Sequence, residues 1–425
     1  MSHADPGAGE MPPSAERRDA LKLLSAGVAA GLTGVASATS GATTSAAAPR
    51  DHQGNTMNDP KGTAPPATDW AAEGYWACAL QTINDCVTVD ATRAAARERV
   101  LRSLARIDVQ MAGAKRWVGA DLKLIVLPEY VLTGPPWGEP IDVWADKAAF
   151  EMDGPEYEAL ATLAEKHAVY LSVNAYETDR HFPGLYFQAC VCFDPAGKVV
   201  LRYRRLISMF APSPHDVWDR YLDVYGAEGV FPVARTSIGN LAAIASEEIL
   251  YPEIARCHAI RGAEVFMHNT SEAYTVTMPQ KKIARLARAM ENLAYVVSAN
   301  TAGSIGIQVG VDSPNGGSDI IDYYGNVVVA AGQGETMTAN ARLDVGDVRR
   351  YRRRPGMSNL LSRQALDLYV DSYAEAGIRR RNGLLKDGRI VVPDRSYFVE
   401  KQREALARMA ERGIVPAGAT TGVPK

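Results

Sequence analysis

The sequence predicts an α/β fold. Two runs, Leu122–Leu127 (apolar but for Lys123) and Leu241–Ala245, are short enough for strands and almost wholly apolar, which suits strands covered on both sides. Segments of helical periodicity alternate with runs of this kind along most of the chain, the pattern expected when helices cover sheets. The second run also stops abruptly at Ser246 and feeds, through Tyr251-Pro252, into a helical pattern closed by Gly262. A strand that ends in a tight corner before a helix holds the corner side chain rigidly, so Ser246 is a candidate nucleophile, with Glu247 and Glu248 directly behind it.

The elements follow in order. A strand over Tyr75–Gln81 opens the folded part, and a charged, Ala-rich helix spans Ala91–Ala112. The run Leu122–Leu127 ends in Pro128-Glu129-Tyr130, which puts Glu129 at a strand end. Helix Glu156–His167 precedes strand Val169–Asn174, and strands Leu185–Phe193 and Lys198–Tyr203 turn about Pro195-Ala196-Gly197. After the Ser246 corner come strand Val265–His268, helix Gln280–Asn292 and strand Tyr295–Asn300. Ser318–Asp322 and Asn326–Ala331 form a hairpin across Tyr324-Gly325-Asn326, followed by Thr336–Leu343. The run Arg349–Arg354 is expected to be solvated or ion-paired, and Tyr397–Arg412 reads as a terminal amphipathic helix.

Ahead of this, Arg17-Arg18-Asp19-Ala20-Leu21-Lys22 precedes a Gly- and Ala-rich apolar run from Leu23 to Ala38, with small-residue cleavage patterns at Ala36-Ser37-Ala38 and Ala46-Ala47-Ala48. Residues 1–48 resemble a twin-arginine export signal, too short in its apolar part for a membrane span. Residues 49–70 are a linker of Ser, Thr, Ala, Gly and Pro. The expected location is therefore outside the cytoplasmic membrane. A net charge of −3 gives no reason to expect nucleic acid as a partner. Cys78, Cys86, Cys190, Cys192 and Cys257 show neither a disulfide framework nor metal-ligand spacing, and no cofactor or metal is expected. Cys190 and Cys192, two apart on one strand face, read as packing residues.

Several separate segments carry a resemblance, in order, to the nitrilase superfamily, the carbon–nitrogen hydrolases. Pro252, Glu253, Ala255, Arg256 and Gly262-Ala263-Glu264 match its nucleophile segment, with Ser246 where the superfamily has Cys. Ala289-Met290-Glu291-Asn292 with Tyr295-Val296-Val297 resembles its helix-to-strand segment, and Gly317-Ser318 with Ile320, Ile321, Asp322 and Gly325 its late hairpin. The resemblance implies a four-layer αββα sandwich over residues 71–347, a C-terminal extension 348–425 that makes oligomer contacts, and pairing into a homodimer or larger homo-oligomer. It also implies that Glu129 stands at the general base, Arg205 at the catalytic Lys and Ser246 at the nucleophile. A further carboxylate is placed at Asp216, and the substrate or ligand would be a small amide, nitrile or carboxylate.

The two departures bear on chemistry. A hydroxyl is far less acidic than a thiol and needs a better base. A guanidinium keeps its proton, and its planar fork is expected to lock Glu129 in a bidentate pair. Two functions follow as alternatives: a divergent hydrolase using Glu129, Arg205 and Ser246, or an inactive relative that binds a ligand in the same pocket. Loops Val131–Ile141 and Ser208–Tyr225, with Trp137, Phe210 and Trp218, are the expected pocket walls. His215 and His258 are expected at the surface or in packing.

Overall fold

The computed structural model describes residues 74–273 and 279–416; the expected signal region and linker lie outside them. The chain enters with β1 (Tyr75–Ala79), the short β2 (Asn84–Asp85), helix Arg93–Val118, and β3 (Leu122–Val126). Helices Ile141–Ala148 and Pro155–His167 lead to β4 (Tyr170–Thr178), β5 (Tyr186–Phe193) and β6 (Val199–Arg204). Helix Trp218–Tyr225 precedes β7 (Ala234–Thr236) and β8 (Gly239–Ala245), which runs through a 3-10 turn, Ser246–Leu250, into helix Pro252–Ile260. Then come β9 (Val265–Thr270), helix Gln280–Asn292, β10 (Tyr295–Asn300), β11 (Ser304–Ile305), β12 (Asp319–Ile321), β13 (Val327–Ala330) and β14 (Asn340–Leu343). Helices Val345–Arg352 and Asp367–Ala376, the small hairpin β15 (Leu385–Lys386) and β16 (Arg389–Ile390), and helix Ser396–Glu411 complete the described chain.

Two six-stranded sheets form, in the orders β14-β1-β3-β4-β5-β6 and β13-β12-β10-β9-β8-β7. In the first, β1, β3 and β4 are parallel and the outer strands antiparallel. The second repeats this plan with β8, β9 and β10.

The alternation of side chains along a strand explains the layers. In β8, Leu241, Ala243 and Ala245 join a core that also holds Ala77, Ala79, Leu124, Val126, Val297 and Ala299 from the other strands. The intervening Ala242 and Ile244 face a second core made with Ala255, Ala259, Ala284 and Ala289 of the flanking helices. A third core packs helices Arg93–Val118, Ile141–Ala148 and Pro155–His167 onto the outer face of the first sheet. The result is the expected four-layer αββα sandwich. Cys190 and Cys192 are buried in the layer between the sheets, as packing residues.

The basic run divides: Arg349 and Arg350 are ion-paired, Arg352 binds backbone carbonyls, and Arg353 and Arg354 are exposed. Helix Val345–Arg352 begins at Asp344, whose carboxylate accepts from the Asp347 amide. Arg349 grips Glu264 through Nε at 2.7 Å and Nη2 at 2.9 Å, and Arg352 donates to the Leu293 and Asn292 carbonyls. The tail beyond it returns to its own domain: Phe398 joins the outer core of the first sheet, and Tyr397 and Lys401 both reach Asp216.

Candidate active site

Glu129, Arg205 and Ser246 converge at one end of the sandwich, beyond the C-terminal ends of strands, where open α/β sheets hold ligands. Glu129 leaves β3 and is held through its backbone: its amide donates to the Thr270 carbonyl at 3.2 Å and its carbonyl accepts from Asn84 at 3.4 Å. Its carboxylate is buried, and Oε1 accepts from Gln188 Nε2 at 2.7 Å and Arg205 Nη1 at 3.1 Å. Burial pushes this carboxyl above its ordinary range; the charges of Arg205 and Lys281, with hydrogen bonds from Ser246 and Gln188, pull it back without cancelling the rise.

Arg205 does not form the expected bidentate pair. Only Nη1 meets Glu129, and it also donates to Gln188 Oε1 at 2.7 Å. Nε donates to the Ile207 carbonyl at 2.7 Å, and Nη2 reaches Glu247. The reason is the course of the backbone: β6 ends at Arg204, and the chain then turns so that the guanidinium lies across four acceptors.

Ser246 follows directly on β8 with φ at 50°, the left-handed region that an L-residue enters at a cost of roughly 1–2 kcal/mol. The corner is fixed from behind. His268 Nε2 donates to the Ser246 carbonyl at 2.9 Å, while Ser298 supplies a partner to Nδ1 at 2.8 Å. Burial lowers the His268 pKa to about 3, so this imidazole is neutral and only its Nε2–H tautomer fits a carbonyl acceptor. Glu248, fully buried, accepts from the Leu206 amide at 2.7 Å, the Ile207 amide at 3.0 Å and the Tyr203 hydroxyl at 2.7 Å. It thereby ties the Ser246 turn to the Arg205 loop. Burial raises its pKa to about 7 against the opposing pull of Arg205 and those hydrogen bonds.

These groups open on a cavity of about 540 Å³. Tyr130, Trp137, Tyr176, Met209 and Phe210 give it apolar walls; Glu129, Gln188, Arg205, Ser246, Glu247 and Glu272 are its polar lining. Arg395 and Val399, from the C-terminal extension, close one side. Arg395 is anchored by donating to the Phe210 carbonyl and to Tyr186 Oη at 3.2 Å. A surface cleft of about 570 Å³ beside Asp219 and Asn382 has neither a serine nor a cysteine on its walls.

Two expectations are corrected. Asp216 lies outside the cavity lining; it accepts from the Ser213 hydroxyl at 2.7 Å and from Tyr397 at 2.9 Å and pairs with Lys401, because it sits in the capping box that begins its turn. Trp218 starts its own helix and lines a different hollow with His215, Phe231 and Arg379. Trp137 and Phe210 do wall the cavity. His258 is a packing residue, buried edge-on to Tyr203 and Phe231.

Three site residues were missed. Gln188 is the one amide in the otherwise apolar strand Tyr-Phe-Gln-Ala-Cys-Val-Cys-Phe, and that isolated polar side chain was a usable signal. Glu272 follows β9, and Lys281 sits in a Lys-Lys pair that reads as a solvated helix face. Ser246 Oγ lies 3.4 Å from Glu272 Oε1 and 3.4 Å from Lys281 Nζ.

The fold is an αββα sandwich that brings a carboxylate, a cation and a corner hydroxyl together at its strand ends. The family model for carbon-nitrogen hydrolases matches residues 62–353, more than half of the sequence, and the chain belongs to that family. It is 24% identical over 233 residues to a probable nitrilase of Schizosaccharomyces pombe, covering 54% of this chain and 78% of that protein. It is 28% identical over 189 residues to a formamidase of Bacillus cereus, covering 44% of this chain and about half (52%) of the relative. Among solved structures, a carbon-nitrogen hydrolase from Helicobacter pylori G27 superposes with a TM-score of 0.54 at 19% identity, covering 71% of this chain and 98% of that one. A double mutant of the amidase from Nesterenkonia sp. AN1, in complex with acrylamide, gives 0.53 at 18% identity, covering 73% and 100%. At these identities the structural matches establish the fold.

Proposed function

We propose that this protein hydrolyses the carbon–nitrogen bond of small amides, with nitriles as the neighbouring substrate class. Ser246 is the nucleophile in this reading, Glu129 the carboxylate that orients its hydroxyl, and Arg205 the cation that fixes Glu129. The observation that carries it is the strained corner: a left-handed Ser246 beside a buried carboxylate, on the wall of a cavity sized for a small ligand. The names of relatives, a formamidase and an amidase with acrylamide, favour the amide class. The twin-arginine pattern supports action outside the cytoplasmic membrane. Exposed Ile260, Ile283 and Met290 on the helices outside the second sheet support a homodimer formed through that layer.

One observation favours the second reading, a ligand-binding relative without turnover. Arg205 spends its donors on Glu129, Gln188, Glu247 and the Ile207 carbonyl, which leaves little of it for charge developing on a substrate. Ammonia release from a panel of small amides and nitriles, by the wild type beside S246A, separates the two. Turnover that S246A abolishes supports the hydrolase; equal rates end the nucleophile assignment.

A further inference from the structure

A serine nucleophile needs a group to take its proton and return it to the leaving nitrogen. Glu129 is poorly free for this, since Arg205 and Gln188 both hold its Oε1. On the other side of the hydroxyl stands an amine. Lys281 Nζ lies 3.4 Å from Ser246 Oγ, mounted on the first turn of helix Gln280–Asn292, which buries Ala284, Arg285, Arg288, Ala289 and Asn292. Its side chain is largely buried, and Nζ also pairs with the half-buried carboxylate of Glu272.

We propose that Lys281 is the proton carrier of this site and forms a nucleophile–base pair with Ser246, an inference that rests on the reading of Ser246 as nucleophile. The groups facing Lys281 come from every side: Glu272 after β9, Glu129 after β3, Arg205 after β6, Glu247 behind Ser246, and Arg285 one turn along its own helix. His268 lies beneath and is neutral. Burial lowers the amine to about 8, with Glu129 and Glu247 raising it and Arg205 and Arg285 lowering it. An amine poised near there is largely protonated at neutral pH and becomes a base as pH rises.

The steps balance. Neutral Lys281 takes the Ser246 proton as Oγ bonds to the amide carbon and the carbonyl π pair moves to oxygen. The pair returns, the carbon–nitrogen bond breaks, and the Lys281 proton passes to the departing nitrogen, giving ammonia and acyl-Ser246. Water then attacks the ester, its proton going to Lys281, and as the ester bond breaks Lys281 returns that proton to Oγ. The net reaction is amide plus water to acid plus ammonia.

The test uses full-length wild type, S246A, K281M and K281R with acetamide and formamide, measuring ammonia release from pH 6 to 10. The wild type is expected to gain kcat along a limb with an apparent pKa near 8. K281M should lose kcat by roughly 100-fold or more while KM moves little, and should lack that limb. K281R, which keeps charge but not a removable proton, should not restore the rate. K281M with wild-type rate and limb overturns Lys281 and leaves Ser246 standing, provided S246A is inactive. Wild type no faster than S246A overturns the nucleophile reading and Lys281 with it. If K281M fails to fold, the wild type's own profile still decides: a kcat flat across this range overturns the proposal.

Discussion

Arg205 and Glu129 meet through one N–H···O contact of 3.1 Å rather than two, and the rest of the guanidinium is turned toward Glu247 and the Ile207 carbonyl. The arginine thus works as a four-way brace between β3, β5, the loop after β6 and the Ser246 turn. A lysine offers a point charge without the fork. R205K should therefore lose about 1–3 kcal/mol of stability, and R205M, which strands buried Glu129, about 3–5 kcal/mol. Urea denaturation at pH 7.5 checks both; an R205K variant as stable as wild type would show that the brace is idle.

The left-handed backbone at Ser246 makes a second prediction. Glycine enters that region freely and a β-branched residue scarcely at all. S246G should match wild-type stability to within about 1 kcal/mol, S246V should fall by about 2 kcal/mol, and both should release no ammonia. Equal stability of the two variants would mean that the corner relaxes at no cost.

Glu248 gives the molecule a pH dependence with a defined sign. Its folded pKa of about 7 is above the ordinary Glu value, so the folded state holds the proton more tightly than the unfolded chain. This contribution is complete below about pH 4.5 and is lost as pH rises through about 7, a change on the order of 3 kcal/mol. E248Q should flatten that part of the stability–pH curve. Denaturation midpoints at pH 5, 6, 7 and 8 for both proteins are the measurement, and parallel curves would refute the assignment.

The contact of Lys401 with Asp216 anchors the tail helix whose approach supplies Arg395 and Val399 to the cavity. K401M leaves the buried Asp216 with an unmatched charge and should free the helix. Limited proteolysis should then cut within Ser396–Glu411, with KM rising roughly tenfold for about 1.4 kcal/mol of lost binding and kcat little changed. Unchanged cleavage and KM would show that Phe398, Tyr397 and Arg395 hold the tail without Lys401.

What could be read in advance divides along physical lines. Strands that are mostly apolar, such as β3 and β8, and the helix Gln280–Asn292 were legible because burial on both faces or a clean amphipathic stripe leaves a pattern in the residues themselves. Short helices such as Trp218–Tyr225 and Asp367–Ala376 were not, since two to three turns rarely build a recognisable period. Among site residues, Glu129 and Ser246 stand at the ends of readable strands. Lys281 is hidden for the opposite reason: only the fold turns one lysine of an adjacent pair inward, and nothing local distinguishes it from Lys282. The single Arg205–Glu129 contact was equally invisible, because it depends on a turn of backbone and not on residue type.

Arg395 and Val399 reach the cavity from a segment about fifty residues beyond β14, whereas Glu129 and Ser246 are welded to the sheets. The proposed reacting groups and part of the cavity rim are therefore carried on stretches of chain far apart in sequence. Changes confined to the tail can reshape that rim while the residues at the sheet ends stay as they are.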